Sequence, residues 1–221
     1  MTDRAERAGP ADPGDRADRR GDARADAGAD AETGAVAGAG AGDGAGADEC
    51  GPRVVLVGPM GAGKSTVAAA LGKRLDLQTA DTDAWVQDRA GCTIPELFAA
   101  QGEAAFRVLE RETVAAALRS HPGVLALGGG AVLDPRTRAA LIGRPVVFLD
   151  VSAEEALRRM PKTAARPLLA CPDPRSAWAQ LAAERRHLYE EVAGLRVDTT
   201  GLTADDVATR IAAELGLVRH A

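Results

Sequence analysis

The chain has 221 residues, 46% of them hydrophobic, and a formal net charge of -5, a length that suits one domain or two small ones. No run of about 18 apolar residues offers a transmembrane helix, no apolar stretch near the start resembles a secretory signal, and the scattered Cys50, Cys92 and Cys171 form neither a disulfide framework nor a metal-ligand spacing. The charge is uneven: residues 1–50 hold 6 Arg against 12 Asp and Glu, while the other 171 residues hold 21 Lys and Arg against 20 Asp and Glu, a near-neutral balance that speaks against a nucleic-acid partner.

Residues 1–52 read as a disordered tail. The first 50 contain 15 Ala and 10 Gly but no Leu, Ile, Phe, Tyr or Trp, too little apolar surface to offset chain entropy. A partner-binding arm is the other reading of that composition. The folded domain is expected over 53–221. Residues 54–57 form an apolar run ending at Gly58, the pattern of a buried strand. A helix is expected over 64–75 and a short strand over 77–80. Thr93 and Glu96 have capping-box spacing before Leu97 and Phe98. Over 103–119, Phe106, Leu109, Thr113 and Ala117 share one helical face. Residues 123–127 form a strand that runs into Gly128-Gly129-Gly130, and 145–150 form another. Ser152 and Glu155 suggest a second capping box, opening a helix toward Arg159. Residues 161–174 contain four prolines and read as a loop. A helix over 173–192, a strand over 195–197 and a helix over 203–215 close the chain. Such alternation predicts an α/β fold with a parallel sheet covered on both faces.

The strongest local signal is Gly58-Pro59-Met60-Gly61-Ala62-Gly63-Lys64-Ser65-Thr66. It matches the phosphate-loop pattern between an apolar strand and a helix. Glycines let backbone N–H groups curl around phosphate oxygens, and the following helix offers unpaired N–H groups to the anion. Lys64 would reach the β and γ phosphates and Ser65 would ligate Mg²⁺. This makes the chain a nucleoside-triphosphate binder, with Gly61, Ala62, Gly63, Lys64, Ser65 and Thr66 lining the phosphates.

Five weaker signals follow on the acceptor side. Asp81-Thr82-Asp83 ends a strand, where two carboxylates can serve a metal and a substrate hydroxyl, or only an Asp-rich turn and a helix cap. Arg107 follows Phe106 at the edge of the apolar face, with Glu110 one turn on to orient it; a solvated surface pair fits the same spacing. The three glycines at 128–130 suit close backbone approach to a ligand, or a flexible loop. Arg166 in the Pro-rich loop can close over phosphates, or is an ordinary surface arginine, and Arg185, beside Glu184 and Arg186, reads by itself as part of a solvated helix face.

Together these motifs resemble the shikimate kinase family over roughly 53–215: GPMGAGKST at 58–66, DTD at 81–83, GEAAFR at 102–107, LGGGAV at 127–132, RPLL at 166–169 and a segment ending HLY at 187–189. The resemblance implies a P-loop kinase fold, with a five-stranded parallel sheet in the order 2-3-1-4-5 and a mobile lid at about 160–174. It implies phosphoryl transfer from ATP to the 3-hydroxyl of shikimate, a step toward chorismate and the aromatic amino acids. Asp83 then contacts the shikimate hydroxyls, Arg107 and Arg185 grip its carboxylate, and Gly129 and Gly130 contact the ring substituents. Phe98 and Phe106 supply apolar contacts. Arg166 is the lid arginine near the transferred group, Arg159 packs near adenine, and Asp81 helps Ser65 hold Mg²⁺. Lys64, Asp83 and Arg166 are the expected catalytic residues, and the enzyme is expected to be a cytoplasmic monomer without membrane or nucleic-acid partners. The lid departs from the family where Pro161-Lys162-Thr163-Ala164-Ala165 precedes Arg166, and the tail has no family counterpart. A gluconate-type kinase would keep the phosphate loop without needing both carboxylate-gripping arginines and the triple glycine. A nucleoside monophosphate kinase would need a base pocket, for which no motif is present. A GTPase would need Asn-Lys-x-Asp, and the chain contains no Asn. A non-catalytic nucleotide-binding module would not need the lysine, aspartates and arginines together.

Overall fold

The computed structural model describes residues 51–160 and 173–218. Residues 1–50 and 161–172, and with them most of the expected tail and lid and the whole of Arg166, lie outside the described residues.

The centre of the fold follows from four consecutive apolar residues. Strand β1 (Val54–Val57) is buried along its whole length, as a strand covered on both faces must be. Its side chains alternate between two cores. Val54 and Leu56 point to one side, where helix α1 (Lys64–Leu75) contributes Val67 and Leu71 and helix α7 (Ala204–Glu214) contributes Val207 and Ile211. Val55 and Val57 point to the other, where helix α3 (Ile94–Ser120) contributes Val114 and Leu118, and helix α6 (Pro174–Val192) contributes Tyr189.

Around β1 stand β2 (Thr79–Asp81), β3 (Val124–Ala126), β4 (Val146–Asp150) and β5 (Leu195–Asp198). All pairings are parallel and the order is β2-β3-β1-β4-β5, the expected 2-3-1-4-5. Val55 lies beside both Leu125 and Val146, so the carboxyl ends of the strands stop at one level. Gly58, Asp81, the glycine loop, Asp150 and Thr199 all sit at that edge, where open parallel sheets bind their ligands.

Several elements differ from expectation. The second strand begins at Thr79, not Leu77, because the Leu77 N–H still closes the end of α1 on Gly72 O at 2.9 Å. Helix α3 begins at Ile94 behind the Thr93–Glu96 capping box and is broken at Gly102 (φ 78°, ψ 173°). Ser152 does cap helix α5 (Ala153–Arg159), but the reciprocal half of the box is missing. The Glu155 carboxylate turns to Arg158 and Arg159, and the Ser152 N–H donates instead to Thr200 Oγ1 at 3.0 Å. Thr203 is the cap of α7 rather than its first residue, in a capping box with Asp206. Helix α2 (Thr82–Ala90) starts at the DTD motif with Asp81 as its cap, and helix α4 (Pro135–Leu141) follows a single 3-10 turn at Ala131–Leu133. Asp134 caps α4 through the N–H groups of Arg136 and Thr137. Both short helices carry an Asp cap, a local signal that periodicity alone does not catch.

Candidate active site

The phosphate loop curls from β1 into α1. Lys64 Nζ donates to the carbonyls of Gly58 (2.8 Å) and Pro59 (3.0 Å), bridging the loop's mouth. Gly61 has φ 81°, and a Cβ there would come within 2.7 Å of Ala156 O. Position 61 therefore excludes a side chain on two grounds, handedness and space. The far wall of the loop is tied to distant elements: Trp178 Nε1 on α6 donates to Met60 O at 3.0 Å, and Thr199 Oγ1 after β5 donates to Ala62 O at 3.3 Å.

The DTD motif meets this loop. Ser65 Oγ donates to Asp81 Oδ2, while Asp81 Oδ1 accepts the Asp83 N–H at 2.9 Å. Thr82 is buried, and its hydroxyl accepts the Gly128 N–H at 3.0 Å, which docks the glycine loop on α2. A hydroxyl and a carboxylate at the first turn of α1 are hard oxygen donors, the kind Mg²⁺ takes one or two at a time beside substrate phosphates. The residues fit that ion.

Across the cleft, Arg107 on α3 is held by acids of its own helix. Its Nη1 donates to Glu110 Oε2 at 2.7 Å and its Nη2 to Glu103 Oε1 at 3.0 Å. The guanidinium lies over the Phe106 ring, 5.1 Å from its centroid, and Phe106 packs on Phe98 at 4.6 Å. Glu110 is almost fully buried. Burial lifts its pKa above the ordinary carboxylate value and the Asp83 charge adds to the lift, while Arg107 and Arg185 pull it down. Desolvation weakens the Arg107 cation, but Glu110 and Glu103 outweigh that and raise its pKa. The glycine loop fits against these groups. A Cβ at Gly128 would overlap the Asp83 carboxylate and sit 3.0 Å from Glu110 Oε1, and one at Gly130 would lie 3.1 Å from Arg107 Cζ. Tyr189 on α6 donates to Gly129 O at 2.6 Å.

On the opposite side, Arg159 at the end of α5 donates to Thr199 O (2.7 Å), Thr199 Oγ1 (3.1 Å) and Glu155 (2.8 Å). Arg158 and Arg159 together hold the Glu155 carboxyl down at about 2.

Among the described residues these groups line one open cleft of about 1150 Å³. It brings together the expected Gly61, Ala62, Gly63, Lys64, Ser65, Thr66, Asp81 and Asp83, with Phe98, Phe106, Arg107, Gly129, Gly130, Arg159 and Arg185. Glu103 and Thr199 also line it, while Thr82, Trp178 and Tyr189 hold its loops from behind. The aromatic pair had a faint signal, since the chain holds only two Trp and one Tyr.

A sequence model of one family, described as shikimate kinase, matches residues 60–216. The chain belongs to the shikimate kinase family. A shikimate kinase of Rhodococcus jostii is 47% identical over 164 residues, which span 74% of this chain and 98% of that one. A shikimate kinase of Streptomyces coelicolor is 53% identical over 156 residues, 71% of this chain and 91% of its own. The solved structure of the Acinetobacter baumannii shikimate kinase in complex with shikimate superposes with a TM-score of 0.71 at 36% identity, covering 76% of this chain and 95% of that one. The fold described above is thus that of shikimate kinases, and among the described residues no helix is long and apolar enough to cross a membrane.

Proposed function

We propose that this chain transfers the γ-phosphoryl group of ATP to the 3-hydroxyl of shikimate, giving shikimate 3-phosphate and ADP. The observation that carries this reading is the meeting, in one cleft, of a phosphate loop with a second anion site built from Arg107 and Arg185 around Asp83. One cleft with two cationic ends separated by a carboxylate suits a triphosphate and a small polyhydroxy acid.

The residues divide the work as follows. The loop N–H groups at 61–66 and Lys64 cradle the phosphates and neutralise charge on the transferred group. Arg159, held flat against Thr199, offers a face to adenine. Arg107 presents a planar fork to the shikimate carboxylate, which suits bidentate recognition better than a point charge. Arg185 adds the second cation. Gly129 and Gly130 approach the ring substituents through backbone, and Phe98 and Phe106 cover its apolar face. Asp83 accepts a hydrogen bond from the attacking hydroxyl, orients it toward the phosphorus and takes up its proton as the O–P bond forms; the transition state is loose, so this demands little basicity. Arg166, from the expected lid at 160–174, adds positive charge at the transferred group and excludes water. Ser65 and Asp81 would hold Mg²⁺, which supplies charge neutralisation between the β and γ phosphates when bound. The near-neutral charge of the residues after the first 50 suits a small-molecule substrate better than a nucleic acid.

A coupled assay of ADP release with MgATP tests the reading against shikimate, gluconate and nucleoside monophosphates. Turnover is expected with shikimate alone, and Lys64→Ala should abolish it. Turnover with gluconate in place of shikimate would assign the cleft to a different acceptor, and turnover with none of them would indicate a non-catalytic module.

A further inference from the structure

Helix α6 touches both reacting loops through one face. Trp178, Arg185 and Tyr189 stand seven and four residues apart, a spacing that puts them on a single helical stripe. Trp178 Nε1 donates to Met60 O of the phosphate loop at 3.0 Å, and Tyr189 Oη donates to Gly129 O of the glycine loop at 2.6 Å. Arg185 lies between them along the cleft. The two loops also abut: a Cβ on Gly129 would be 3.5 Å from Gly58 O and 3.6 Å from Met60 N.

The Tyr189 bond has a specific geometric consequence. Gly129 O and the Gly130 N–H belong to one planar trans peptide, so they point in opposite directions. Fixing the carbonyl toward α6 aims the Gly130 N–H away from α6. Three successive glycines have the widest backbone freedom of any loop, and no side chain at 128–130 can set that plane. The tyrosine is well placed to do so. It is buried, its ring stacks on Phe148 at 5.1 Å and 23°, and burial pushes its hydroxyl up to about 12 against the pull of Arg185. It therefore remains a donor throughout the working pH range.

We propose that the Tyr189 hydroxyl is a positioning group for the acceptor site, fixing the Gly129–Gly130 peptide plane and Arg185 to one rigid helix that Trp178 fastens to the phosphate loop. Helix α6 thereby sets the distance between donor and acceptor loops. The inference rests on shikimate being the acceptor bound there, and its experiment separates the two claims.

Tyr189→Phe keeps the ring and deletes only the hydroxyl. It leaves a buried carbonyl without its donor, so the shikimate KM should rise about tenfold while the MgATP KM stays within about twofold. Trp178→Phe should show the reverse split, raising the MgATP KM. Irreversibly inactivated molecules lower the apparent kcat but not KM, and assay well below each variant's thermal midpoint keeps a reversibly unfolded fraction from raising KM. Phe148→Leu, which removes the ring stack and spares the hydroxyl, should lower the thermal midpoint and raise the shikimate KM by clearly less than Tyr189→Phe does. Amide hydrogen exchange in the 128–130 loop should accelerate in Tyr189→Phe without any substrate, a readout independent of what the acceptor is. An unchanged shikimate KM in Tyr189→Phe with unchanged loop exchange overturns the proposal, as does an equal rise in Phe148→Leu. A wild-type enzyme inactive on shikimate, with exchange still accelerated in the variant, would fault the acceptor assignment and leave the positioning role standing.

Discussion

The Arg107–Glu110 pair shows how a single residue is held ready for an anion. Arg107 has about a quarter of its side chain exposed and Glu110 only 5%, so the cation faces the cleft while its partner stays behind it. Burial raises the Glu110 pKa, and the sign of the linkage follows. A carboxyl raised on folding contributes stability that is present below its unfolded value and is lost as pH rises through its folded value. Ionised Glu110 is therefore carried at a cost to stability, and what it supports is the orientation of Arg107. As pH falls through the raised Glu110 pKa, Glu110 loses its charge while Arg107 keeps its own, the bond that orients the guanidinium weakens, and the shikimate KM should climb. Glu110→Gln should raise that KM about fivefold at neutral pH, the value of a lost charge-assisted bond, and should flatten the acid limb of the KM profile. A variant whose acid limb overlays the wild type would show that Glu110 has no part in it. Arg107→Ala should raise the shikimate KM by about tenfold to a hundredfold and leave the MgATP KM near its wild-type value. Residues of this kind were legible in sequence because Arg107 and Glu110 lie one turn apart, and Lys64 and Ser65 sit in a contiguous motif. Trp178 and Tyr189 were not, since each bonds a backbone carbonyl 118 or 60 positions away, a relation that no local spacing encodes.

Helix α3 illustrates what an element adds beyond its residues. Its capping box and apolar face were readable from Thr93, Glu96, Phe106 and Ala117, and the stretch after Gly102 matched its helical period. The segment before Gly102 was not read as part of the same helix, because a period of 3.6 does not run through the break. At φ 78° and ψ 173°, Gly102 occupies a region essentially closed to residues with a Cβ. The kink turns the Phe98 half of the helix back onto the Phe106 half, so that the two rings meet at 4.6 Å and wall one side of the cleft. A Cβ at 102 would meet nothing within 4 Å, so a substitution there is opposed by backbone conformation alone. Gly102→Ala should destabilise the fold by about 1–3 kcal/mol in urea unfolding and raise the shikimate KM, as Phe98 swings away from Phe106. Loss of stability with the KM untouched would mean that the Phe98 arm does not shape the acceptor pocket. The short helix α4 and the 3-10 turn before it escaped the sequence for the opposite reason: seven and three residues are too few to show any period.

For the whole molecule, the useful division is between the net charge and where it lies. The chain's -5 comes from residues 1–50, whereas the remainder is nearly neutral and gathers Lys64, Arg107, Arg159 and Arg185 around the carboxyl edge of one sheet. The parallel order of the strands was legible from the alternation of apolar runs and helices, and that order is what brings residues 58, 81–83, 128–130 and 199 to a common edge. The described domain completes its own core. Every residue of β1 is buried, and the Arg53 N–H already finds Gly123 O at 2.8 Å. The Rhodococcus jostii relative is matched along 98% of its length by 74% of this chain, which leaves that protein no room for a counterpart of a 50-residue segment. A chain beginning at Gly51 should therefore keep the Arg53 bond, hold its thermal midpoint within about 2 °C, the shift expected for a few tenths of a kcal/mol in a domain of this size, and phosphorylate shikimate with kcat/KM within about twofold of the full chain, the equivalent of less than 1 kcal/mol. Calorimetry and the coupled assay on both chains check this. A larger drop in midpoint would show that residues 1–50 pack against the domain, and a fall in kcat/KM with the midpoint unchanged would show that they act on the cleft itself.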